Sequence, residues 1–164
     1  MSKDSKKEKE LLPASLPEGE LIYLAGGEID ENRVSVGFWG DYLDPDVISE
    51  LLGVEPTIAY AKGDKVPVNS EHYRVAHTGL WRWAGIRTDT RTLEEQIQLL
   101  FDQLPEDLSI WQDLSTKYGS ELFCGIWMKT WNREFDLSPT IMKKIVDRGL
   151  TIRFDIYYEE SDQK

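Results

Sequence analysis

His72 and His77 stand five residues apart, a spacing that fits no established metal geometry, and both read as loop or surface histidines. Cys124 is the single cysteine, which excludes an intramolecular disulfide and any cysteine-based zinc cluster. It lies mid-strand among aliphatic residues and reads as a small buried hydrophobe, not a nucleophile. Lys62-Gly63-Asp64 sets a lysine beside a glycine without the spacing of a phosphate loop and reads as a turn. Gly26-Gly27 follows no phosphate-binding pattern either. Asp44 with Asp46, and Glu94 with Glu95, fall where helices begin, so capping and the helix dipole account for these acid pairs. No catalytic constellation and no cofactor motif emerge. A metal held by carboxylates scattered along the chain is the enzymatic alternative.

Charge says more than the candidate chemistry does. The net charge is −11, and residues 18–64 hold eleven acids against Arg33 and Lys62, whereas residues 65–154 balance at twelve against twelve. A field of that sign attracts basic partners and repels phosphate backbones, so no nucleic acid is expected. Asp41, Asp44, Asp46, Glu50 and Glu55 are the candidate face for such a partner; solubility alone is the plainer use of the same charges. No run approaches the roughly 20 apolar residues that span a bilayer, and no apolar segment follows the charged first ten residues, so a cytoplasmic protein without membrane contact is expected.

These residues are held by elements that the sequence punctuates clearly. Leu43 to Thr57 contains a helix with Asp44 at its N-cap, Pro45 in the first turn, Val47, Ile48, Leu51 and Leu52 on an apolar face, Gly53 as stop and Pro56 beyond. Ser138-Pro139 repeats the device before a helix that ends at Gly149. Thr92 and Glu95 form a capping box for a helix to Leu104, and a second helix runs from Pro105 to Gly119. Strands are expected at 34–39, 78–84, 121–131 and 150–158, with a short one at 21–25. Residues 1–20 read as a disordered tail, 21–158 as one domain and 159–164 as an acidic tail. Residues 54–77 show no sustained period and read as a long loop. Two strand–helix–strand units, 34–84 and 121–158, look like an internal duplication. They predict an α+β fold: a ferredoxin-like, mainly antiparallel sheet of four strands with helices on one face.

Alternation then assigns faces. Val34, Val36, Phe38, Leu80, Leu122, Cys124, Ile126, Met128, Leu150, Ile152, Phe154 and Ile156 are expected to meet the helices. The opposite set carries Trp39, Trp81, Trp83, Phe123, Trp127, Lys129, Trp131, Arg153, Asp155 and Tyr157. That aromatic face has three readings: a second core layer covered by residues 21–25, by the 54–77 loop or by another copy of the chain in a homodimer; a partner surface; or a stacking platform for sugar rings or bases, bases being the poorer fit to an acidic chain. A small-molecule or glycan site would use Trp81, Trp83, Trp127 and Trp131 beside Lys62 and Asp64.

Phe38 through Thr57, then Lys62-Gly-Asp64, Thr78-Gly-Leu-Trp-Arg-Trp83, Leu137-Ser-Pro139 and the closing strand 150–157 together resemble a bacterial family, domain of unknown function 4279. Trp83-Ala-Gly departs from the Leu/Ser-type segment usual there. The resemblance implies a small intracellular α+β domain without established activity. Some such families are similar to immunity proteins of toxin–antitoxin competition loci. The expected function is a non-catalytic binding module engaging a basic partner, with the ligand-binding domain and the homodimer module as alternatives.

Overall fold

Helix ends form where local chemistry dictates. In the computed structural model, which describes residues 26–158, Asp44 is extended and accepts a hydrogen bond from the Asp46 backbone N–H at 3.1 Å. Pro45–Leu52 is helix α1, and Gly53 ends it in the left-handed conformation, φ 69°. Thr92 and Glu95 close the reciprocal capping box on α2, Leu93–Asp102. Asp107 caps α3, Leu108–Lys117, and Ser138 caps α4, Pro139–Asp147. The tails and the short strand expected over 21–25 lie outside the described residues.

Strands follow in chain order as β1 Glu31–Gly40, β2 Ile58–Tyr60, β3 Lys65–Pro67, β4 Tyr73–Val75, β5 Gly79–Ala84, β6 Gly119–Met128 and β7 Thr151–Tyr158. The main sheet has five strands in the order β2-β5-β1-β6-β7, antiparallel except for β6 beside β7, and β3 pairs with β4 as a separate hairpin. The class is therefore α+β with a mainly antiparallel sheet. The segment 54–77, expected as a structureless loop, instead contains β2 and the hairpin. Three-residue strands are too short to show a period.

The two expected units are not equivalent. Only Arg148, Gly149 and Leu150 separate α4 from β7, so the chain emerges beside β6 and runs parallel to it. After α1 the chain instead forms the outer strand β2, turns through the hairpin, and inserts β5 antiparallel between β2 and β1. Strand β6 also stops at Met128, short of the expected Trp131. The Lys129 N–H leaves the ladder to donate to Asp30 Oδ2 at 2.7 Å.

Register decides the faces. Phe38 stands opposite Trp81, Val36 opposite Trp83 and Leu122, and Cys124 opposite Val34 and Phe154. One face of the sheet therefore meets Ile48 and Leu52 of α1, Ile97 and Phe101 of α2, Trp111 and Leu114 of α3, and Ile141 and Ile145 of α4 in a single core. On α1 only Ile48 and Leu52 are buried; Val47 and Leu51, expected inward, remain half-exposed because the helix meets the core along the Ile48–Leu52 stripe alone.

Two glycines mark different demands. Gly53 faces open space, so Gly53→Ala loses only the left-handed backbone preference, about 1 kcal/mol. Gly149 has φ +66° and an added Cβ meets Ser115 Oγ of α3 at 2.4 Å. Gly149→Ala is expected to cost clearly more than Gly53→Ala in denaturant unfolding; equal costs count against the close packing of α3 on the α4–β7 corner.

A polar clasp ties the start of the domain to the end of β6. Arg133 donates to both carboxylate oxygens of Asp30, at 2.9 and 3.0 Å, and also to the Gly26 carbonyl. The Arg133 bonds, chiefly, and the Lys129 N–H hold the Asp30 carboxyl below its ordinary value of 3.8. Because the folded value is depressed, this stabilisation is present above the ordinary value and is lost as pH falls through the depressed one. Asp30→Asn is expected to lower stability at neutral pH by about 1–2 kcal/mol and to flatten the acid limb below about pH 4. Urea midpoints measured across that range check it; an unchanged acid limb refutes it.

Candidate functional site

Four of the five acids expected as a partner face line two adjoining hollows, and Asp41 lines neither. Asp44, Asp46, Glu55 and Asp64, together with Ser49 and Tyr60, line a hollow of about 520 Å³ between α1 and the β2 segment, and no lysine or arginine lines it. An adjoining hollow of about 440 Å³ shares Asp46, Ser49 and Glu55 and adds Glu50. The caps place these groups: Asp44 caps α1, which sets Asp46 and Glu50 one turn apart, and Glu55 follows two residues after the Gly53 stop. The floor is rigid. Trp81 Nε1 donates to Ser49 Oγ at 3.0 Å, and Ser49 Oγ donates to the Pro45 carbonyl at 3.0 Å.

Lys62 and Asp64 serve a turn. Asp64 Oδ2 accepts from the Ala61 N–H at 2.8 Å and Gly63 takes φ 94°, which swings Lys62 onto Asp41 at 2.5 Å. The Lys62 hydrogen bond, and then its charge, hold the Asp41 carboxyl below the usual carboxylate range. Asp41 is thus already paired at the margin of the face, whereas Asp46, Glu50 and Glu55 pair with no cation among the described residues.

Beside the acids runs an apolar stripe that sequence reasoning placed in the core. Val47 and Leu51, four residues apart on α1, are half-exposed next to Asp46 and Glu50, and Tyr42 just before the helix is 95% exposed. Spacing alone did not mark it: α2 buries Leu93, Ile97, Leu100 and Phe101 within nine residues, so a four-residue apolar face on a short helix reads as core.

The expected tryptophan site does not assemble. Trp81 is 0% exposed in the core and Trp83 packs against it, so both lie on the helix side of the sheet, opposite to expectation. Leu80 takes the other face in exchange. Arg82 reveals why: it shares a face with Leu80, and a guanidinium belongs on the side away from the helices, where it meets Glu121. Trp131, 81% exposed, stands beyond the end of β6. Trp127 does lie on the second face, stacked on Tyr157 at 5.2 Å with Arg87 over its ring at 4.0 Å. Trp39 shares that face and lies so close to Gly119 that a Cβ there meets its ring at 2.2 Å. The face is a lattice of paired charges and stacked rings, not a row of tryptophans.

His72 Nδ1 lies 3.1 Å from Asn69 Oδ1 in the β3–β4 turn. Burial alone pushes the Cys124 thiol up to about 12, far from a reactive thiolate at neutral pH. Among the described residues, no three His, Cys, Asp or Glu side chains gather as a metal site, and no helix is long and apolar enough to cross a membrane.

Sequence reasoning missed a second acidic cleft, about 580 Å³, between the starts of α2 and α4, lined by Glu28, Asp89, Glu94, Glu95, Glu134 and Asp136 together with Arg91. Its acids come from three separate segments, so no local pattern announces it. Two of them are structural: Glu95 accepts from the Thr92 N–H at 2.8 Å, and Glu94 accepts from the Ser138 N–H at 2.5 Å, linking α2 to the α4 cap.

The sequence profile of a family described as a domain of unknown function (DUF4279) matches residues 30–159. Comparisons with curated proteins and with solved structures give no match.

Proposed function

The chain belongs to this family of domains of unknown function, and from that premise we propose that it is a non-catalytic binding module whose α1 surface engages a basic protein partner. One observation carries the reading: Asp46, Glu50 and Glu55, which pair with no cation among the described residues, gather on and just after the helix that exposes Val47 and Leu51, with Tyr42 exposed before it. Exposed aromatic and aliphatic anchors beside complementary charge are what protein interfaces use for affinity and for rate respectively. An immunity-type inhibitor of a basic toxin is one use of such a surface. In the same reading the β2-β5-β1-β6 portion is a ferredoxin-like sheet, with α4 and β7 added at its edge.

The test is affinity capture by the tagged full chain from lysate of its source organism at low salt. Wild type is run beside Asp46→Lys/Glu50→Lys and beside a control pair in the second cleft, Glu134→Lys/Asp136→Lys. The expected result is a basic protein that a salt step releases, that the α1 pair fails to retain and that the control pair retains. Equal retention by wild type and the α1 pair overturns the proposal.

A further inference from the structure

The two edges of the main sheet are unlike. Strand β2 is three residues long and follows Pro56, a short edge of the kind that resists further pairing. Strand β7 is eight residues long, carries no proline or lysine, and among the described residues pairs only with β6. Ile152 packs against the core, but the apolar surface beyond it is partly left in solvent: Phe154 is partly exposed and packs on Phe135 at 5.2 Å, and Ile156 is 56% exposed.

The helix above continues this exposed surface. Lys144 reaches Gln98 of α2 at 2.7 Å, so that flank of α4 faces α2. Ile141 and Ile145 point inward, which turns Met142 and Val146 to the flank away from α2, on a helix that packs against β7. Val146 is 73% exposed.

The order of residues in β7 names the occupant. Ile152-Arg153-Phe154-Asp155-Ile156 reads the same in both directions except that the charge changes sign. Set antiparallel to a second copy about Phe154, every position meets a suitable partner. Phe154 faces itself and Ile152 faces Ile156 on the helix side, while Arg153 faces Asp155 twice on the other side. The chain's strong negative charge does not oppose this contact, because residues 139–158 hold Lys143, Lys144, Arg148 and Arg153 against only Asp147 and Asp155. Such a pairing is isologous and closes as a dimer.

We infer that β7 is a homodimerisation edge, where two copies join antiparallel about Phe154 into one continuous ten-stranded sheet, with Met142 and Val146 of each α4 meeting over the seam. The face used is separate from the α1 surface, so either proposal stands or falls alone.

Sedimentation of the full chain at micromolar concentration is the first measurement, with a dimer expected. Asp155→Arg places arginines opposite one another at both charged positions and is expected to weaken the dimer at least about ten-fold. Phe154→Cys tests the register: under mild oxidant it cross-links to itself across the two-fold axis, whereas Ile156→Cys, facing Ile152, does not. A wild-type monomer overturns the inference. So does a dimer that tolerates Asp155→Arg, or one in which Ile156→Cys cross-links and Phe154→Cys does not.

Discussion

Replacing Trp81 with alanine is expected to cost about 3–5 kcal/mol of unfolding free energy, the largest loss at any single position considered. The indole is 0% exposed between Phe38, at 6.0 Å, and the floor of α1. Its removal leaves a cavity at the centre of the core and also takes away the indole donor from which the half-buried Ser49 hydroxyl accepts. Trp81→Phe keeps most of the volume and loses the hydrogen bond, so a smaller cost of about 1–2 kcal/mol is expected. Denaturant unfolding followed by far-UV circular dichroism gives both values. A Trp81→Ala protein within 1 kcal/mol of wild type, an outcome far below the quoted range, would place the indole on the surface and revive a ligand-facing role.

Removing the Glu121 carboxylate comes next, at about 3 kcal/mol for Glu121→Ala. Glu121 is nearly buried although it points away from the helices, because Arg82 donates to Oε1 at 2.6 Å and Arg153 to Oε2 at 2.8 Å. Arg82 also donates to Ser35 Oγ at 3.2 Å and lies over the Phe123 ring at 5.2 Å, so it cannot simply swing into solvent when its partner is lost. Arg153 is mostly exposed and contributes little. The charge left behind on Arg82 sets the cost. Changing Glu121→Leu and Arg82→Met together is therefore expected to recover most of the stability, which a double-mutant cycle measures. If the pair of changes costs as much as the sum of the single ones, the two side chains act independently and the account fails.

Both positions show where legibility ends. Caps and stops were readable because each is a contact within four residues: Asp44 with Asp46, Thr92 with Glu95, Ser138 with Ile141, and Gly53 with Ser49. Backbone geometry at such short range leaves few alternatives, so residue type alone selects the structure. The family was equally readable, from motifs spread over the matched span. The acids lining the two hollows beside α1 were visible as a cluster in sequence, since most of them lie on or next to that helix.

Only the folded chain decided the rest, because each such choice is made between segments far apart in sequence. Alternation in 78–84 only separates Leu80 and Arg82 from Trp81 and Trp83, and pairing with β1 turns the tryptophan side to the core. The brief strands β2, β3 and β4 exist through their partners, not through any period of their own. The second acidic cleft is assembled from three segments that meet when α2 and α4 begin side by side. Residue types and local spacing thus set the helices, the charge and the family, while long-range pairing set which side of each strand is core and which groups share a surface.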